Sequence, residues 1–231
     1  MNDQMILRTE HLYRSFQSGH ETIAVLQDIN IEIRRQSLTM LKGRSGSGKT
    51  TLINLLGALD EPTSGKVYFE QQNINAFSEP RRDRLRRSKI GFVFQSVALI
   101  STMTAYENVE FALRIARFDT KKRRARTEEV LELVGLEKRM KHRTQELSGG
   151  EQQRVAIARA ISHHPAVVFA DEPTAELDTN TGLQVVALFR SLVEKEGLTV
   201  VMTTHDPNMI ELADQVFSLD NGVQAEQVVT V

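Results

Sequence analysis

A chain of 231 residues, 40% hydrophobic and 26% charged, can bury one generous α/β core or a core with a smaller appended lobe. Its formal net charge of −1 excludes a global field that would steer it to nucleic acid or a membrane, so any basic partner surface must be local. The absence of cysteine excludes disulfides, thiolate metal sites and thiol catalysis.

The opening residues Met1-Asn2-Asp3-Gln4-Met5 carry neither a basic region nor a long apolar run, so no signal peptide is expected. No stretch approaches the roughly 20 apolar residues of a membrane helix, so work at a membrane would need spanning helices from another chain. The first third reads as strand-rich. Residues Ile29–Ile33 alternate apolar and polar, as a half-buried strand does. Ser37–Leu41 is a short apolar run leading into glycines, and a helix is expected over Thr51–Leu59. Asp60–Gly65 is turn chemistry, with a further strand at Val67–Phe69. Ile90–Phe94 reads as a strand ending at Gln95.

Residues 96–165 change character. They are rich in Glu, Arg, Lys, Ala and Leu at helical spacing, and Val130, Leu131, Val134 and Leu136 fit one apolar helix face. This segment reads as a helical lobe inserted between the two parts of an α/β core, 1–95 and 166–231. In the last third, Ala166–Ala170 and Thr199–Thr204 are continuous apolar runs separated by a helix, the pattern of a parallel sheet covered on both faces. Val216–Leu219, Asp220-Asn221-Gly222 and Val223 suggest a terminal hairpin.

Gly43-Arg44-Ser45-Gly46-Ser47-Gly48-Lys49-Thr50-Thr51 follows an expected strand and opens an expected helix. Its glycines let the backbone fold tightly so that N–H groups point at phosphate oxygens, and the helix N-terminus favours an anion. Lys49 offers a compact cation for the terminal phosphates and Thr50 a hydroxyl for Mg²⁺. A Gly/Ser-rich surface turn would not need strand, full motif and helix in that order. The other apolar strands also end in polar groups: Gln95, Asp171-Glu172 and His205-Asp206. Open parallel sheets bind ligands at the carboxyl ends of their strands. Asp171 is a candidate to hold Mg²⁺, directly or through water, and Glu172 to polarise the attacking water. Gln95 is a candidate metal ligand or water-orienting amide. His205 is a candidate donor to the γ-phosphate or to a transition-state oxygen. The plainer alternatives are a helix cap for the acidic pair and structural roles for the amide and the imidazole.

Leu147-Ser148-Gly149-Gly150-Glu151-Gln152-Gln153-Arg154 precedes an expected helix through Ala160. Its exposed backbone N–H groups make a second anion site, which one triphosphate per fold does not require. The set Gly43–Thr50, Gln95, Leu147–Glu151, Phe169–Glu172 and His205 resembles, in order and spacing across nearly the whole chain, the ATP-binding subunits of ABC transporters. The resemblance implies a P-loop NTPase core with a mostly parallel sheet, an N-terminal antiparallel β region and an inserted helical lobe, the whole of 1–231 forming one ATPase domain. It implies ATP and Mg²⁺ as cofactors. It also implies Phe16 as the aromatic that stacks on adenine, with Tyr13 as the fallback, and Asp178 as the D-loop aspartate. Two such subunits pair head to tail, and Ser148, Gly149, Gly150 and Glu151 of one close over the ATP held by the other. The pair is either two copies of this chain or this chain with a paralogue.

Finer features look like the MacB/LolD-type ATPases of that family, which work with FtsX-like permeases: Leu59–Gly65, Ile90–Gln95, Glu107-Asn108-Val109 and the extension Glu151–Ala160. The expected location is therefore cytoplasmic, peripheral on the inner face of the cell membrane. The sequence departs from the pattern at Glu151, where many relatives have Gln, and at Ala175-Glu176, where the subgroup has Gly-Asn. The second departure puts communication between two ATP sites in doubt.

Two basic runs, Arg81–Lys89 and Lys121–Arg126, are read as solvated helix faces. The balanced charge and the lack of interleaved aromatics argue against nucleic acid. A rival function is an ABC-type ATPase of DNA repair or chromosome organisation. It would need a long coiled coil or a zinc module, and the segment from Gln95 to Leu147 is too short for the first while cysteine is absent for the second.

Overall fold

The computed structural model describes residues 4–229; the first three residues of the segment read for a leader lie outside the described residues. The N-terminal part is antiparallel: β1 (Met5–Ser18) pairs with β2 (Glu21–Ile29), with β3 (Glu32–Arg34) and with the later β5 (Ser64–Phe69). The expected single strand Ile29–Ile33 is broken between β2 and β3. The Thr9 hydroxyl donates to Ile29 O at 2.8 Å and accepts from Ile31 N at 3.0 Å, so a side chain takes over the backbone partners at the break. Next come β4 (Leu38–Lys42), α1 (Lys49–Leu56), β5 (Ser64–Phe69), β6 (Gln72–Asn73), α2 (Glu79–Lys89) and β7 (Ile90–Val93). α1 begins at Lys49, two residues before the expected start, because Gly48 ends the preceding loop and caps it.

Then follow α3 (Ala105–Ile115), α4 (Arg123–Leu133) and α5 (Gly149–Ile161), the inserted helices and their link back to the sheet. The chain closes with β8 (Val167–Ala170), α6 (Thr179–Glu196), β9 (Val200–Thr204), a single turn α7 (Pro207–Ile210) and the antiparallel hairpin β10 (Gln215–Asp220) and β11 (Val223–Val229). The strand order is β6-β5-β1-β2-β11-β10-β4-β9-β8-β7, with β3 off this path. β10, β4, β9, β8 and β7 run parallel to one another, so their carboxyl ends share one edge.

The apolar strands divide by period two between two cores. Met40, Val168, Ala170, Val200 and Met202 join α3, α4, α5 and α6 on one face. Leu41, Val167, Phe169, Val201 and Phe217 join α1 and the antiparallel strands on the other. This is why the strands read as unbroken apolar runs. β7 and α5 approach so closely that a Cβ on Gly91 would lie 2.4 Å from Ala160 O. Phe169 is fully buried and stacks on Phe92 at 5.7 Å between centroids. Phe169→Ala is expected to cost about 3–5 kcal/mol in urea unfolding, as deletion of a packed aromatic does.

The basic run on α2 is solvated only in part: Arg81, Arg84 and Lys89 are exposed, but Arg82 is 12% exposed and Arg86 21%, the latter paired with Glu79 at 2.7 Å and with Asp83. The run Lys121–Arg126 is solvated except for its last member. Arg126 is only 7% exposed, and its guanidinium donates to Ser162 O at 2.9 Å and Ile161 O at 3.1 Å, satisfying carbonyls at the end of α5. Composition alone reads such an arginine as surface; its partners lie 35 and 36 residues away.

Candidate active site

The loop after β4 is shaped by one residue above the others. Gly48 has φ 100°, and a Cβ there would meet Leu26 Cδ2 at 2.7 Å and Val25 O at 2.9 Å. Only glycine suits both the backbone and the space. The turn it makes starts α1 at Lys49, so the N-terminal amides of that helix stand at the carboxyl edge of the sheet. The Lys49 ammonium is 4% exposed and donates to Gly43 O at 2.8 Å and Arg44 O at 3.1 Å. Ser47 Oγ is buried and lacks a hydrogen-bond partner among the described residues, an orphan of the kind that marks a ligand-facing loop.

A cleft of about 340 Å³ opens on this loop. It is lined by Val25, Ser45, Gly46, Gly48, Lys49, Thr50, Thr51, Gln95 and Glu172. All of these but Val25 stand at positions the sequence marks for this site, and β2 supplies Val25. Gln95 arrives from beyond β7 and Glu172 from beyond β8, as the parallel register requires. The Glu172 carboxylate lies between two cations or donors: Lys49 Nζ is 3.5 Å from one oxygen and His205 Nδ1 3.5 Å from the other. Glu172 itself has φ +42°, a left-handed conformation uncommon for a residue with a Cβ. Asp171 stands behind it, with Oδ1 accepting from the Thr203 hydroxyl at 2.8 Å. Thr203, wholly buried on β9, is a site residue whose one sequence signal is a polar side chain in an apolar run.

Phe16 and Tyr13 are both partly exposed on β1 and line none of this cleft. Phe16 pairs with Ile23 of β2 and lies under the Arg14 guanidinium at 4.3 Å, whereas Tyr13 pairs with Ser64 of β5. Ser148, Gly149, Gly150 and Glu151 also lie outside the cleft. They start α5 in a capping box: Ser148 Oγ accepts from Glu151 N at 3.3 Å and Glu151 Oε2 accepts from Ser148 N at 2.9 Å. That backbone bond, chiefly, holds the Glu151 carboxyl below its ordinary pKa, and Arg139 at 3.0 Å adds to the effect. A Cβ on Gly149 would touch Leu177 at 3.4 Å, so this turn leans on the segment before α6. Asp178 caps α6, accepting from Thr181 N at 3.0 Å and from the Thr181 hydroxyl, which lower its pKa.

A larger cleft of about 500 Å³ runs along β1 and β3 past Met5, Arg8, Glu10 and Arg34. Within it Arg8 pairs with Glu10.

A glycine loop at a helix N-terminus, an acidic pair and a histidine on neighbouring parallel strands, and a separate Ser-Gly-Gly turn define a cassette-type nucleoside triphosphatase. Residues 26–175 match the family model described as ABC transporter, and the chain belongs to that family. It is 40% identical to the ABC transporter ATP-binding protein MJ1508 of Methanocaldococcus jannaschii over 94% of this chain and 96% of that one. It is 39% identical to the macrolide export ATP-binding/permease protein MacB of Vibrio parahaemolyticus, covering 94% of this chain but 33% of that longer protein. The structure resembles the dimeric post-hydrolysis state of the cassette MJ0796 bound to ADP and Pi, with a TM-score of 0.88 and 37% identity over 97% of this chain and 98% of that one. The chain is an ATP-binding, ATP-hydrolysing cassette. Among the described residues no helix is long and apolar enough to cross a membrane.

Proposed function

We propose that this chain, a single ATPase domain over 1–231 with its helical lobe at 96–165, closes as an ATP-sandwich dimer to drive a membrane permease. The carrying observation is the separation of its two anion-binding turns. The cleft on Gly43–Thr51 has a phosphate cradle, while Ser148–Glu151 caps a helix outside that cleft, with Ser148 and Gly149 exposed. A second subunit supplies the missing wall. The dimeric form of the MJ0796 cassette supports this reading. Phe16 takes the adenine face in preference to Tyr13, because it stands on the hairpin with β2, which also supplies Val25 to the cleft.

Thr50, Gln95 and Asp171 offer hard oxygen donors, and no group of three or more His, Cys, Asp or Glu among the described residues could cage a metal alone. That donor set fits Mg²⁺, which takes one or two carboxylates and completes its shell with phosphates and water. When bound, it neutralises charge on the terminal phosphates. Lys49 holds the same phosphates as a point charge, Glu172 polarises the water, and His205 donates to the oxygen that gains charge.

The partner is an FtsX-like permease of the MacB/LolD type, with this chain on the inner face of the membrane. The relative MacB, a combined ATP-binding and permease protein, supports this. So do the large exposed apolar side chains Phe94, Ile100, Phe111 and Ile115, which fall between the end of β7 and the end of α3. Ser148→Arg tests the shared site. Hydrolysis is expected to fall to background while ATP affinity of the monomer, by calorimetry, stays within about twofold; normal cooperative turnover would remove the trans arrangement.

A further inference from the structure

We propose that Thr203 is a positioning residue for hydrolysis, fixing with one hydroxyl both Asp171 and the backbone of Glu172. The inference rests on the reading of those two carboxylates as the metal-holding and water-polarising groups. Thr203 Oγ1 donates to Asp171 Oδ1 at 2.8 Å and accepts from Glu172 N at 2.7 Å. The residue is wholly buried between apolar layers. Burying a hydroxyl there is unfavourable unless its donor and acceptor are both used, and here both go to the catalytic turn.

The register explains how. β8 and β9 run parallel with Ala170 opposite Met202, so the next residue on β9 stands beside the point where β8 ends in Asp171. The neighbouring Thr204 does something else: its hydroxyl accepts from Asp206 N at 3.1 Å and shapes the turn after His205. The two threonines of this strand thus divide the work, one facing each acidic or basic turn.

The bond to Glu172 N matters because of the conformation it secures. Glu172 sits at φ +42°, which a residue with a Cβ holds only when its surroundings dictate it. The Thr203 oxygen fixes the amide at the start of that turn, and Ala175 N closes its far end on Glu172 O at 3.1 Å. The direction in which the Glu172 carboxylate leaves the sheet follows from that backbone. One atom therefore orients the metal-holding carboxylate and aims the water-polarising one.

Thr203→Val keeps the shape and removes the hydroxyl; Thr203→Ser restores it. In steady-state assays on the full chain, Thr203→Val is expected to lower kcat by 10-fold or more (roughly the scale of one lost positioning contact). KM for ATP should change less than threefold. Hydrogen exchange of the unliganded protein is expected to show faster exchange in the peptide 170–175, with the melting temperature close to wild type. Thr203→Ser should recover most of kcat and of the protection. A wild-type kcat in Thr203→Val, or unchanged exchange in that peptide, would overturn the proposal. So would a loss shared equally by ATP binding, folding and turnover, or one that serine does not rescue. If Glu172→Gln hydrolyses normally, the reading of the carboxylates fails instead, and the exchange data still decide whether Thr203 holds the turn.

Discussion

Glu172→Gln is expected to keep ATP binding, to slow turnover by about 10²–10⁴-fold, the usual worth of a general base, and to accumulate an ATP-bound dimer. The substitution preserves shape and removes charge. In the structure the carboxylate bridges from Lys49 Nζ to His205 Nδ1, 3.5 Å on either side. An amide can still contact one or both, so the cradle stays in place. Lys49 also keeps its bonds to Gly43 O and Arg44 O, so its buried ammonium is not abandoned. What disappears is the acceptor able to polarise water. With the γ-phosphate retained, the adhesive between subunits persists, because a ligand stabilises the state that binds it best. Light scattering should report twice the monomer mass with ATP and the monomer mass without it. Near-normal turnover would remove Glu172 from its role.

Lys49→Ala is expected to weaken ATP binding by about 10–100-fold or more, the range for a charge-assisted hydrogen bond lost from a site shielded from water. The ammonium is 4% exposed, at the mouth of the helix N-terminus. There its charge is less screened than on an open surface. Calorimetry on the variant, with circular dichroism to verify the fold, checks this; an unchanged dissociation constant would count against the phosphate-loop reading.

The site was legible where chemistry demands a residue type at a fixed chain position. The turn at Gly43–Thr51 needs glycine by geometry, and Asp171-Glu172 and His205 stand at strand ends because parallel strands deliver them there. Legibility failed where the determinant was a contact between distant segments. Thr9 interrupts the strand expected at Ile29–Ile33 through bonds that only the folded sheet brings together. Arg126 leaves a basic surface run because carbonyls at the end of α5 claim its guanidinium. Thr203 reads as one more β-branched strand residue until β8 is laid beside it. The left-handed turn at Glu172 has no marker at all, since glutamate is not a residue that announces positive φ. Chain-local patterning carries helix periodicity and loop chemistry; side-chain bonds across the sheet become visible only with register.

The order of the strands sets when the nucleotide site can exist during synthesis. β4, which ends at the phosphate loop, has β10 and β9 as its two neighbours, pairing Thr39 with Gln215 and Lys42 with Thr204. Both neighbours are made late, more than 150 residues after β4. At ordinary elongation rates of ~5–20 residues per second, β4 waits on the order of ten seconds or more for them. Until then an apolar strand stands with both edges open, a hazard for pairing with other nascent chains. The glycine loop is thus encoded early and assembled late, and a chain cut short before β9 keeps that motif without the scaffold that shapes it.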